Sequence, residues 1–202
     1  TSAADVPGQP TCEARVISGA SLTWGVKESF RTYIRGPIAN GNWLAYNVAD
    51  NGGVFTWTGG NGTYNVAPAT STTAFTGSVS FTGHGGSLDL TFANPRVLVT
   101  GAGTGELIFD VTGTSIDGGT INFPAATIAT LSFTGNVVGE QYVVTNAAAT
   151  LTATGNLAFA DFYAAGTALD PVSFTLPLGA AADCVTVSPP GGVPTPVIIP
   201  IT

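Results

Sequence analysis

Charge is what this sequence has least of. Only 8% of its 202 residues are charged, where ordinary soluble domains carry roughly 25%. The five basic residues form no stripe, which argues against a nucleic-acid partner, because phosphate binding needs clustered Lys and Arg. A single His rules out a His-rich metal cage. Met is absent and no signal peptide opens the chain, as expected of a mature chain whose leader has been removed. No apolar run approaches the roughly 20 residues that a membrane-spanning helix needs. The catalytic signatures are missing as well: there is no G-x-S-x-G elbow, no H-E-x-x-H, no P-loop and no dinucleotide fingerprint. No carboxylate pair stands out for glycoside hydrolysis. The chain is therefore expected not to be an enzyme.

What fills the space left by charge is Gly, Thr, Ala, Asn and Ser. That composition suits many short strands joined by tight turns, under a surface solvated by hydroxyls and amides. Apolar residues make up 44%, enough at this length for one domain with a substantial core. The net charge of −7 identifies no partner by itself.

The two cysteines, Cys12 and Cys184, lie just inside the two ends. A pair so placed in a low-charge, Thr/Gly-rich chain points to an oxidising compartment and to a disulfide closing nearly the whole domain; the alternative is two unrelated free thiols. The expected organisation is a leader over 1–11, one domain over 12–184, and a Pro/Gly-rich tail over 185–202 that reads as a linker. Any membrane anchor is expected only beyond this chain.

One stretch reads as helix: Trp24 to Gly36, WGVKESFRTYIRG. Ser21 is the candidate N-cap. Leu22, Val26, Phe30, Tyr33 and Ile34 fall on one apolar stripe at helical period. Arg35 suits the negative end of the helix dipole, and Gly36-Pro37 stops the helix, with Gly in a left-handed cap. Ser29 sits one turn before Tyr33, so the two share a face.

The rest reads as β-structure. A first strand is expected over 12–20, and strand-like patterns continue from Asn42 onward. VFTWTGGNGTYNV (54–66) reads as two short strands around Gly59–Gly62, and Asn94-Pro95 as a turn. Leu88, Leu90 and Phe92 alternate strictly, as do Val172, Phe174 and Leu176 in a last strand. Phe159, Phe162 and Tyr163 fall on a short helix or turn. The fold class is thus mainly β (α+β): a many-stranded antiparallel sandwich or barrel-like domain with one N-terminal helix and a short C-terminal one. His84 lies in the turn FTGHGGSLD, where flanking glycines let the backbone approach something closely. Spacing alone reads His84 as a surface turn histidine and Tyr33 as a packed core tyrosine.

Three segments, WGVKESFRTYIRG, GHGGSLDLTFANPRV and FYAAGTALDPVSF, together resemble the HtaA-type haem-binding domain of actinobacterial haem uptake. They occur in the family's order and spacing and span about Leu22 to Leu176. The resemblance implies a secreted or surface-anchored carrier of ferric haem b; the candidate partners are haemoglobin, another haem-carrier domain or a transporter-binding protein, with a haem-mediated dimer left open beside a monomer. It maps the axial iron ligand onto Tyr33, the histidine that hydrogen-bonds it onto His84, and the propionate-contacting serine onto Ser29. It calls for an aromatic from the C-terminal part to stack on the porphyrin, for which Phe174 comes first and Phe162 next. The chemistry fits those roles. Phenolate is a hard anionic ligand suited to ferric iron, a free phenol titrates near pH ~10, and metal binding deprotonates its ligand. Lys27, Arg31 and Arg35 are candidate propionate partners or plain solvent-facing cations. The competing expectation is a structural or adhesive surface module without cofactor.

Overall fold

Residues 12–188 are described by a computed structural model. The leader expected over 1–11 and the tail from 189 onward lie outside the described residues. In chain order the elements are β1 (Ala14–Trp24), α1 (Glu28–Arg35), β2 (Asn42–Tyr46), β3 (Ala49–Asp50), β4 (Phe55–Asn65), β5 (Thr70–Ala74), β6 (Ser78–Gly83), β7 (Leu88–Gly101), β8 (Thr104–Thr114), β9 (Thr120–Ser132), β10 (Gly135–Val138), β11 (Gln141–Leu151), α2 (Ala153–Ala158) and β12 (Ala168–Ala182).

The strands form one twelve-stranded antiparallel sheet that closes on itself. The ring runs β7-β5-β4-β1-β12-β11-β9-β8 and returns to β7 through the β7–β8 pairing. β2 and β6 continue outward from the first half of β7, and β3 edges the first half of β4. Closure removes most of the exposed strand edge. The mainly β, barrel-like class expected from composition is what the chain adopts.

Strand alternation builds the core. Ala20, Leu22 and Trp24 of β1, Phe55 and Trp57 of β4, and Val172, Phe174 and Leu176 of β12 all turn inward and are buried. Trp24 stacks on Phe109, ring centres 5.4 Å apart, and Trp57 meets the same ring edge-on at 5.6 Å. Each such aromatic contributes on the order of 2 kcal/mol by leaving water.

Five expectations are revised. The helix starts at Glu28, not Trp24, and Ser21 and Leu22 belong to β1, opposite Thr175 and Phe174 of β12. The apolar spacing of Leu22 and Val26 suits helix and strand alike; pairing with β4 and β12 decides for strand, and Val26, at φ +65°, makes the turn into α1. The N-cap is accordingly Lys27, without a side-chain cap bond. Gly36 is not left-handed (φ −77°); it is needed instead because a Cβ there would sit 2.9 Å from the Thr32 carbonyl oxygen. Residues 55–65 form one strand carrying a kink at Gly59, not two strands. Asn94-Pro95 lies inside β7 as a bulge, where β7 exchanges β6 for β5 as its neighbour.

The barrel has two distinct poles. At one, Cys12 and Cys184 form a disulfide beside the start of β1 and the end of β12. At the other, about 35 Å away by the length of an 11-residue strand, β1 ends and α1 packs across the barrel mouth. α1 buries Phe30 and Ile34 completely. Phe30 sets its ring against Phe81 (5.1 Å) and Phe159 (5.5 Å), continuing the barrel's aromatic core into the helix.

Candidate functional site

Tyr33 leaves α1 on the edge of its buried face and is half-buried. Its hydroxyl is hydrogen-bonded to Nε2 of His84. That bond depends on the turn between β6 and β7. His84 has a left-handed backbone (φ +51°), as have Gly85 and Gly86 (φ +65° and +95°), a conformation that glycine adopts at least cost. The His84 N–H donates to the Ala39 carbonyl at 2.7 Å, tying the turn to the loop after α1. This loop must approach closely: a Cβ at Gly41 would lie 1.8 Å from the Thr82 carbonyl oxygen.

Aromatic rings complete the surroundings. Phe162 lies 5.6 Å from the Tyr33 ring and 6.0 Å from Phe30. Tyr163 packs 6.0 Å from Phe159, and its hydroxyl is 3.5 Å from Ser29 Oγ. The structure thus brings Tyr33, His84, Ser29 and Phe162 into one neighbourhood. It leaves Phe174 out: strand alternation turns that side chain into the barrel interior, where its ring meets Phe133 at 5.8 Å and has no ring contact with Tyr33. Phe162 and Tyr163 sit in turns just after α2 rather than on a helix.

The cations of the α1 segment divide sharply. Arg31 is spent on Asp170 (2.5 Å) and the Gly25 carbonyl. Arg35 stacks over Trp43 at 3.3 Å and donates to Asn42 Oδ1. Lys27 donates to the Ala168 carbonyl and holds its ammonium 5.4 Å over the Tyr163 ring, beside a groove that Ser29 and Thr32 also line. Asp170 was not singled out by sequence reasoning, yet it organises the pole. Its Oδ1 accepts the Glu28 N–H at the helix start, and its backbone carbonyl accepts Trp24 Nε1. The motif ALDPVSF contained it, but nothing in the sequence linked it to a helix some 140 residues earlier. Tyr163 was likewise visible only as the neighbour of Phe162.

Chemically, the site offers one phenol oxygen with an imidazole partner, half-open to solvent and walled by aromatics. No cluster of three or more His, Cys, Asp or Glu side chains able to hold a bare metal ion exists among the described residues. One hard oxygen ligand with apolar walls fits an iron whose other ligands arrive with a flat organic group.

Comparison with known proteins defines the class. The HtaA family model, described as Htaa, matches residues 19–175, so the chain belongs to the HtaA family. The C-terminal domain of HtaA from Corynebacterium glutamicum is 39% identical and superimposes with a TM-score of 0.76 over 84% of this chain and 100% of that one. The N-terminal domain of the same protein is 28% identical, TM-score 0.68, over 82% of this chain and 100% of that one. The heme-binding protein HtaB of that organism is 25% identical, TM-score 0.66, over 81% and 95%. A search of curated proteins finds no match.

Proposed function

We propose that this protein binds ferric haem b through Tyr33 and passes it on during haem-iron acquisition outside the cytoplasm. The carrying observation is the Tyr33–His84 hydrogen bond at a half-buried, aromatic-walled position. A bound haem supplies a ferric centre that favours the phenolate over the phenol. Tyr33 would hold the iron through its phenol oxygen. His84 orients the phenol oxygen and donates to it once it is anionic. Ser29 and Lys27, beside the Tyr163 hydroxyl, suit the propionate edge, while Phe162 supplies apolar wall. Arg31 is excluded from that role by its bond to Asp170.

A single protein ligand on an open rim suits a carrier that must release its cargo, and the N-terminal and C-terminal domains of HtaA from Corynebacterium glutamicum share this fold. The disulfide supports an oxidising, extracytoplasmic location. No helix among the described residues is long and apolar enough to cross a membrane. The role is binding rather than catalysis.

Hemin titration followed in the visible spectrum tests the reading. The parent is expected to give a saturable Soret band with a high-spin ferric tyrosinate spectrum. Tyr33→Phe is expected to lose that spectrum and bind about 100-fold more weakly, a loss comparable to that of a ligand's support. Retention of both by Tyr33→Phe would overturn the assignment.

A further inference from the structure

We infer that Ala160 and Asp161 are positioning residues for the proposed haem site: their left-handed turn fixes Phe162 beside Tyr33 and so sets how tightly the pole holds its cargo. The inference deepens the haem-carrier reading and rests on it. α2 ends in a Schellman pattern, with the Asp161 N–H donating to the Asn156 carbonyl at 3.0 Å and the Ala160 N–H to the Leu157 carbonyl at 3.1 Å. The residue that turns left-handed in that motif is usually glycine; here it is Ala160, at φ +52°. Asp161 follows at φ +61°, and the Phe162 N–H donates back to the Phe159 carbonyl at 3.1 Å. Two central residues at positive φ inside such a bond have the pattern of a type I′ turn, where glycine, asparagine and aspartate dominate. Glycine is not scarce in this chain, which has 27. It fills both places of Gly52–Gly53 and follows His84 as Gly85 and Gly86. Among the described residues, Ala160–Asp161 is the only adjacent left-handed pair without a glycine.

Such a pair makes the turn stiff. Glycine moves freely through both halves of backbone space, whereas a residue with a Cβ has one narrow left-handed well. Strain of this kind persists only where the surroundings over-determine the backbone, and it gathers at functional sites. Both ends of the turn are held by rings. Phe159 is fully buried, 5.0 Å from Phe92 and 5.5 Å from Phe30. Phe162 is half-buried, 5.6 Å from the Tyr33 ring and 6.0 Å from Phe30. One end is thus anchored in the core while the other stands at the cleft. The Asp161 side chain itself is exposed, so its part is played by the backbone. The Phe162 ring is in place before any cargo arrives, and binding does not have to order it. Ordering a side chain at the moment of binding costs affinity, and the stiff turn removes that cost.

The test is hemin titration of the whole chain, with thermal unfolding alongside, over a double-mutant cycle. Ala160→Gly with Asp161→Gly is expected to weaken hemin binding about three- to tenfold, the cost of ordering one side chain on binding. The thermal midpoint is expected to hold or to rise by up to about 4 °C, because glycine relieves a left-handed backbone. Phe162→Ala alone is expected to weaken binding about tenfold. Adding the two glycines to Phe162→Ala is expected to change nothing further, since the turn acts through that ring. Asp161→Asn keeps a residue that tolerates the left-handed well and is expected to bind hemin like the parent. Unchanged affinity in the glycine pair, a further loss in the Phe162→Ala background, a midpoint lowered by more than about 4 °C, or weaker binding by Asp161→Asn would each overturn the inference. All four outcomes leave the haem-carrier reading standing, whereas a parent that gives no saturable Soret band overturns both.

Discussion

Tyr33 shows how little a residue's local sequence says about its use. Its position on the apolar edge of α1 makes it a core residue by period alone. The left-handed turn at His84 changes that by placing an imidazole nitrogen at its hydroxyl. His84→Ala removes this partner without removing Tyr33, the proposed iron ligand. It is therefore expected to weaken hemin binding by about 10- to 100-fold while the tyrosinate spectrum persists in altered form. Unchanged affinity and spectrum in a titration would remove His84 from the site. Phe174 makes the converse point. Its place in a motif suggested a cofactor contact, but the period of two along β12 sends it inward, and Phe162 from a turn stands by Tyr33 instead.

At the scale of elements, α1 is short for an independent helix, since isolated helices below about 12 residues are marginal in water. It has 8 residues and no side-chain N-cap of its own. Tertiary contacts hold it: Phe30 and Ile34 beneath, the Asp170 carboxylate at its first N–H, and the Arg31–Asp170 bond across to β12. Both partners of that ion pair are mostly buried, at 15% and 23% side-chain exposure, so removing one strands the other. Arg31→Ala is expected to cost about 2–3 kcal/mol in denaturant unfolding, below the full cost of breaking a deeply buried pair. It is also expected to weaken hemin binding, because the helix carries Tyr33. A loss under 0.5 kcal/mol would show that the apolar contacts alone seat the helix. The strand kinks at Gly59 and Asn94 belong to this scale too. Both read as breaks in sequence, since Gly and Asn-Pro usually end elements, but a closed barrel uses such irregularities to bend strands and switch partners.

For the whole molecule, the Cys12–Cys184 bond spans 172 residues. The loop-entropy account gives about 5 kcal/mol for so long a loop. Reduction is expected to lower the unfolding midpoint substantially while leaving the Tyr33 pole, at the far end of the barrel, able to bind hemin wherever the chain stays folded; circular dichroism and titration with and without reductant check both halves. Stability at neutral pH, lost on acidification, has a further source in Asp110 on β8. Burial works to raise its carboxyl, but the hydrogen bonds from Arg96 and the Ala125 N–H, with the Arg96 charge, outweigh it and leave the group below the usual carboxylate value. A depressed folded value means that the contribution is complete above the ordinary carboxylate pKa of about 4 and disappears as pH falls through the folded value. Asp110→Asn is accordingly expected to cost about 0.5–1 kcal/mol at pH 7 and nothing once both carboxylate values have been passed. An equal loss at both pH values would assign the effect to packing.

The sequence by itself determined the β-rich class, the inward alternation of β7 and β12 and the presence of a helix ending before Pro37, and it offered the pairing of its two cysteines that the fold then made. These follow from composition, side-chain period and terminal placement, all of which are local or nearly so. It also carried the family's three segments. Tertiary structure alone decided where β1 yields to α1, because Leu22 and Val26 satisfy both periods and only pairing with β4 and β12 chooses between them. It alone closed the sheet through the β7–β8 pairing, made Asp170 the anchor of a distant helix, and set His84 and Phe162 around Tyr33. The last two relations join residues 51 to 142 positions apart, and no spacing rule spans such separations.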